Sequence, residues 1–341
     1  MKKIVILDTS IGTGNKGDNM IVNSTKKALG SFLTENDTTY FPTHTVVFPW
    51  YQNFMNWRSD YVKNADYKFI FGTNLLKTNM RKMKPQWNIN FFNCMALKNT
   101  ILVGVGNSNN SRTGEMNQYT KRLWKKVLSQ EYIHSVRDDS TKEMLESMGF
   151  KAINTGCPTL WGLDEKHCSQ IPKEKAKEVV FCFHDENKAP ETDQKFLDML
   201  IKNYDKLYFW AQSVNDVKYL NTFKNIENIE IIPPSLEGYG YWLDTKNVDY
   251  VGMRLHGGIF AMQHKKRAII VSVDHRAKNI NKTNKINSIP RTELTQIEEK
   301  INTSFETKVF VDYDKINEWM SQFEGMKLFE NKFENKGRIG C

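Results

Sequence analysis

Arg254 and His256 stand two residues apart in this 341-residue chain, with Leu255 between them and Gly257-Gly258 after them. A guanidinium grips a carboxylate or phosphate through a planar fork of N–H donors. An imidazole gives or takes a proton near neutral pH. In an extended turn, side chains two residues apart point the same way. The pair therefore suits an anion and a proton donor meeting at one place. Asp274, His275 and Lys278 follow the next apolar run, so a second acid, base and cation are expected nearby.

The elements that must position these groups are short. Tyr250 and Val251 read as a strand running into Gly252. A helix-like run follows from Ile259 and ends in Lys265, Lys266 and Arg267, cations suited to the negative end of a helix dipole. Ala268–Val273 is apolar apart from Ser272, as a buried parallel strand should be. In such strand–turn–helix–strand units, ligands bind outside the carboxyl ends of the strands.

The start of the chain repeats the pattern. Lys3–Leu7 reads as a strand, then Gly12-Thr13-Gly14-Asn15-Lys16-Gly17-Asp18, then a helix to Gly30. Asp18 suits the N-cap and Gly30 the stop. The backbone N–H groups of the loop suit an anion. Gly12, Gly14 and Gly17 make a literal GxGxxG, but a dinucleotide site also needs a carboxylate ending the second strand. That strand is read at Thr45–Phe48, which ends in Pro49-Trp50, so an NAD site is disfavoured. Tyr67–Phe71 ends in Gly72-Thr73-Asn74, and Ile101–Val105 in Gly106-Asn107-Ser108. Tyr132–Val136 ends in Arg137, and Ser140–Glu143 reads as a capping box. Strand ends thus bring small polar residues, with Gly72 and Asn107 among them, and Arg137 to one sheet edge.

Strands and helices alternate through both halves. The expected fold is α/β, with two Rossmann-like domains facing across a cleft in a GT-B-like plan. The domains are read as 1–163 and 179–330, joined by a polar, Lys-rich linker at 164–178. Residues 331–341 read as a polar tail, and 279–288 as a lid. The five cysteines are scattered, and none forms a CxxC pair, which argues against zinc and disulfide frameworks. Cys157 reads as a buried small residue. No apolar run matches a membrane span, and the N-terminus enters a strand at once. The expectation is a cytoplasmic protein, or one peripheral at the inner membrane. The net charge of +9 favours anionic partners. No nucleic-acid module is recognisable, and no nucleic acid is expected.

Three segments carry a resemblance. The loop Gly14–Asp18, the segment Arg137–Ser140 and the motif Arg254–Gly257 together resemble the polysaccharide pyruvyl transferase family, over nearly the whole chain. Two positions depart from its pattern: only Gly72 remains of the usual glycine cluster, and Cys157 stands where Asp is often found. The resemblance implies transfer of pyruvate from phosphoenolpyruvate onto a sugar as a cyclic ketal, with loss of phosphate. The sugar would belong to a bacterial capsule, exopolysaccharide or cell-wall polymer, or to its lipid-linked precursor. Arg137, Arg254, Leu255 and Lys278 would bind the donor. His256 would be the acid and Asp18, from the other domain, the base. Gly14, Asn15, Gly17, Gly72 and Asn107 would line the cleft. No cofactor or metal is implied; phosphoenolpyruvate is a co-substrate. A GT-B glycosyltransferase using a nucleotide sugar remains open, as does a basic nucleic-acid-binding protein. The oligomeric state is not legible.

Overall fold

The computed structural model describes residues 1–55, 57–81, 86–107, 116–273, 280, 281 and 283–330. Ser108, Asp274, His275, Lys278 and the 331–341 tail lie outside the described residues. The chain forms two compact units. One comprises Met1–Thr13, Ile21–Trp161 and the described part of Asp312–Cys341; the other comprises Gly14–Met20 and Gly162–Val311.

The first unit holds β1 (Lys3–Asp8), most of α1 (Lys16–Thr34), β2 (Asp37–Pro42), α2 (Gln52–Met55), α3 (Trp57–Lys63), β3 (Tyr67–Phe71) and β4 (Thr100–Val103). It continues through α4 (Gln118–Val127), β5 (His134–Val136), α5 (Asp139–Glu146) and β6 (Ala152–Asn154). The sheet order is β2-β1-β3-β4 with every pair parallel, and β5-β6 form a further parallel pair. Val105 bridges to Val136. Strand order reverses between β1 and β3, the position where open α/β sheets bind ligands. Ile4–Leu7 and Phe69–Phe71 have no exposed surface, so the central strands are apolar on both faces.

The second unit holds α6 (Glu165–Cys168), β7 (Glu178–Phe181), α7 (Pro190–Asn203), β8 (Lys206–Phe209), α8 (Val214–Leu220) and β9 (Glu230–Ile231). After these come α9 (Leu236–Thr245), β10 (Val248–Gly252), α10 (Leu255–Gln263), β11 (Ala268–Ser272), β12 (Ser288–Pro290) and α11 (Leu294–Asn302). Its sheet runs β12-β11-β10-β7-β8-β9, all parallel. This is the doubly wound order, and the switch point lies between β7 and β10. Both units are thus Rossmann-like α/β structures.

Several sequence expectations need correction. The second strand is β2, not Thr45–Phe48, which forms no strand. As a partly exposed edge strand, Asp37–Pro42 lacks the apolar run of its neighbours. It too ends without a carboxylate. Helix α1 does not stop at Gly30: it kinks there (φ 33°, ψ −114°) and runs to Thr34. The kink admits Glu330, whose carbonyl accepts from Ser31 N at 2.8 Å. Asp138, not Ser140, caps α5 and accepts from Thr141 N.

The 164–178 stretch is built into the second unit rather than linking to it. Asp164 caps α6, Cys168 and Ile171 are buried, and Ala176 N donates to Asp249. The expected lid at 279–288 buries Ile280, Asn284 and Ile286, and Asn284 pairs with Phe310. Helix α12 (Tyr313–Ser321) belongs to the first unit, not the second. There Trp319 Nε1 donates to the Ile133 carbonyl at 2.9 Å.

Candidate functional site

The site is built where β10 passes into α10. Gly252 ends the strand beside Cys182, and a Cβ there would meet Cys182 N at 2.9 Å. That closeness lets Met253 N reach the Cys182 carbonyl at 3.0 Å, extending the β7–β10 pairing. The buried Tyr250 hydroxyl donates to the Arg254 carbonyl at 2.7 Å and fixes the turn. The Gly257-Gly258 pair has a packing reason. A Cβ on Gly257 would meet the Tyr250 hydroxyl at 2.9 Å, and one on Gly258 would meet Ile270 at 2.6 Å. Two glycines let the first turn of α10 lie directly on β10 and β11.

Arg254 occupies the N-cap of α10 without capping it by its side chain. Its guanidinium is instead an internal clamp. Nη2 donates to Asp185 Oδ1 and to Asp216 Oδ1, each at 2.6 Å, and Nε donates to the Phe183 carbonyl at 3.2 Å. The segments leaving β7, β8 and β10 are thereby tied together. Asp216 is fully buried and also accepts from Gln212 N and Ser213 N, closing the capping box of α8. Burial, only partly offset by Arg254, pushes the Asp216 carboxyl above its ordinary range. Burial also acts on Asp185, but Arg254 and a hydrogen bond from Asp216 outweigh it and leave that carboxyl low. The two acids thus divide the task, Asp185 ionised and Asp216 the readier to hold a proton. The ionised Asp185 by itself balances the guanidinium charge, and Asp216 takes up a further N–H direction. The expected free cation at Arg254 is therefore a neutralised one.

Leu255 and His256 open α10 and are half-buried. The loop Gly14–Asp18 meets them. Asn15 sits at the N-cap position of α1, and its Oδ1 accepts from Gly17 N at 3.0 Å. Asp18 lies within the first helical turn, buried, with its N–H on the Asn15 carbonyl. Asn15, not Asp18, is thus the capping side chain. A Cβ on Gly17 would stand 3.1 Å from His256 Nδ1, so the glycine lets the imidazole pack against the loop. Asp18 belongs to the same compact unit as Arg254 and His256, which corrects its expected origin in the other domain. Gly14 and Asn15 are exposed.

Arg137 is brought to a second cluster, in the first unit. It is buried, donates through Nη2 to Asn74 Oδ1, and lies 3.8 Å from Asp138. A Cβ on Gly106 would come within 2.3 Å of Arg137 Nε, so that glycine exists to admit the guanidinium. Asn107 joins the cluster by donating to Thr141 Oγ1 and Ser140 Oγ. Gly72 is explained by packing. Its φ is 49°, and a Cβ would strike Ile21 at 2.0 Å. Cys157 is fully buried.

One residue escaped the sequence reading. Gln212, just past β8, is 4% exposed, and its Nε2 has no hydrogen-bond partner among the described residues. It lies 3.4 Å from where a Gly257 Cβ would stand, beside the first turn of α10. Trp210 Nε1 and the Tyr239 hydroxyl are also buried without hydrogen-bond partners among the described residues, their rings stacked at 4.0 Å. Unsatisfied buried donors are costly, and Gln212 Nε2 is the one placed against the first turn of α10. Nothing local in the sequence marks Gln212, because its role depends on α10 arriving beside it. Among the described residues no group of three or more His, Cys, Asp or Glu is placed to hold a metal ion.

No curated protein matches the chain. Among solved structures, the S. aureus MnaA–UDP co-structure is similar at 11% identity and a TM-score of 0.49, covering 96% of this chain and 99% of that one. UDP-GlcNAc 2-epimerase from Neisseria meningitidis bound to UDP-GlcNAc follows at 12% and 0.46, covering 88% and 90%. E. coli heptosyltransferase WaaC with ADP-2-deoxy-2-fluoro heptose follows at 10% and 0.35, covering 87% and 97%. The family model for polysaccharide pyruvyl transferase matches residues 15–275. That span takes in Asn15, Gly17, Asp18, Arg137 and the Arg254–Gly257 turn, and on it the chain belongs to the polysaccharide pyruvyl transferase family.

Proposed function

We propose that this protein transfers pyruvate from phosphoenolpyruvate onto two hydroxyls of a sugar, in a polysaccharide or its lipid-linked precursor, as a cyclic ketal. The observation that carries this reading is the contact of Gly17 with His256. Two family motifs far apart in sequence meet at the β7/β10 switch point.

Protonation of the donor methylene by His256 makes the neighbouring carbon an oxocarbenium centre. The first sugar hydroxyl adds there and gives its proton to a base, assigned to Asp18. The carbon–oxygen bond to phosphate then breaks, and the second hydroxyl adds to the same carbon. Its proton leaves with the phosphate. The products are one ketal and one phosphate, with no net redox change.

The donor anion needs partners other than a free Arg254, since that charge is spent on two aspartates. The uncapped N-terminus of α10, at Leu255 and His256, supplies backbone N–H groups and the positive end of a dipole. Gln212 Nε2 supplies a side-chain donor at the same turn. Arg137 is assigned a donor-binding role on its position in the Arg137–Ser140 segment within the family span.

The test is incubation with phosphoenolpyruvate and candidate surface glycans, followed by mass spectrometry and phosphate assay. Acceptor-dependent phosphate release with a matching pyruvylated product is expected. Phosphate release without a ketal, or neither, would overturn the reading.

A further inference from the structure

We infer that the first unit carries a glycan-binding groove for the acceptor, between the rings of Trp50 and Phe92. The inference rests on the polysaccharide reading above but not on the identity of the donor.

A groove of about 590 Å³ is lined by Val46, Pro49, Trp50, Asn90, Phe92 and Asn93. Its volume falls among small-molecule sites, which span roughly 300–1,000 Å³. Both lining segments are loops of the first unit: residues 46–50 follow β2, and residues 90–93 lie in the connection that leads into β4. They are sewn together by Asn88 N donating to the Thr43 carbonyl at 2.8 Å. His44 Nε2 lies 3.1 Å from the Thr9 carbonyl, just past β1. The groove is therefore anchored beside Thr43, directly after the carboxyl end of β2.

Its chemistry is that of sugar recognition. Trp50 and Phe92 are 60% and 73% exposed, an unusual fate for large apolar rings on one groove. Their faces suit the C–H face of a pyranose. The two asparagines are pre-set as donors. Asn90 Oδ1 accepts from Phe92 N and Asn93 N, and Asn93 Oδ1 accepts from Asn90 N. The carbonyl ends are thus consumed by the turn. Neither Nδ2 has a hydrogen-bond partner among the described residues. A rigid turn offering amide donors between two aromatic faces fits neutral sugar hydroxyls. Among the described residues no cation lines the groove.

The experiment is saturation-transfer NMR of the full chain without phosphoenolpyruvate, using lactose, maltotriose and N-acetylchitotriose as probes. Transfer to the ring C–H protons of at least one sugar is expected, with loss in Trp50→Ala and Phe92→Ala. Asn90→Asp keeps the turn acceptor and removes the amide donor, and should weaken binding by about fivefold. Co-sedimentation with vesicles of phosphatidylglycerol and phosphatidylethanolamine runs alongside. No transfer to any probe overturns the inference. So does Trp50-dependent vesicle binding without sugar binding, which would make the face a lipid contact. Because phosphoenolpyruvate is absent, failure of the donor reading leaves this result interpretable. The exposed positions of Trp50 and Phe92 make misfolding an improbable confusion, and circular dichroism of each variant checks it.

Discussion

Gly17 and His256 are in contact: a methyl group on the glycine would stand 3.1 Å from the imidazole Nδ1 and 3.2 Å from Asn15 Oδ1. The loop and the ring therefore set each other's position. Gly17→Ala should cut turnover by roughly 10²-fold through misplacement alone, with little change in melting temperature. His256→Gln should cut it by roughly 10²–10⁴-fold while donor affinity holds, the usual worth of a general acid. Steady-state kinetics with calorimetric donor binding separates these outcomes. Near-native turnover in His256→Gln removes it from the acid role.

Arg254→Ala should act first on stability. It leaves Asp185 and the fully buried Asp216 without their shared partner. Breaking such a buried pair costs roughly 3–5 kcal/mol, readable by urea unfolding. Full stability with lost donor affinity would instead make Arg254 a ligand group.

Gly106→Ala tests Arg137 without touching it. The new Cβ would fall 2.3 Å from Nε, so the guanidinium must move. Activity should fall to the level of Arg137→Ala, and the double variant should fall no further. Additive losses would show that Arg137 acts independently of the β4 end.

Gln212→Leu removes a buried amide whose Nε2 has no hydrogen-bond partner among the described residues. Unliganded stability should be unchanged or slightly higher, because no hydrogen bond is lost. Protection against thermal unfolding by phosphoenolpyruvate should weaken. Unchanged protection would assign Gln212 a packing role only.

His134 sets an acid limit on the first unit. Its Nε2–H donates to the Ser129 carbonyl and its Nδ1 accepts from Leu102 N. The ring is therefore neutral, and burial pushes its pKa down to about 4 from 6.5. The unfolded state takes the proton first, so its stabilising effect is full above pH 6.5 and is lost as pH falls toward 4. The total is roughly 3 kcal/mol. His134→Gln should flatten the pH dependence of unfolding in that window. An unchanged slope would place the titration elsewhere.

The sequence by itself determined the alternation of strand and helix, the strand β3 to the residue, and the turn at Arg254–Gly257. These are local facts: apolar runs buried on both faces, and glycines where backbone must approach backbone. It also marked the three family motifs. Only the tertiary structure decided their company. Arg254 looked like a free cation because Asp185 and Asp216 are distant in sequence and meet it only at the converging ends of β7, β8 and β10. Asp18 was placed in the wrong domain because a strand–loop–helix pattern does not reveal which unit a loop packs against. The edge strand β2 lacked a core's apolar pattern and was overlooked. Gln212 and the Trp50–Phe92 groove were invisible because each arises where segments distant in sequence come together.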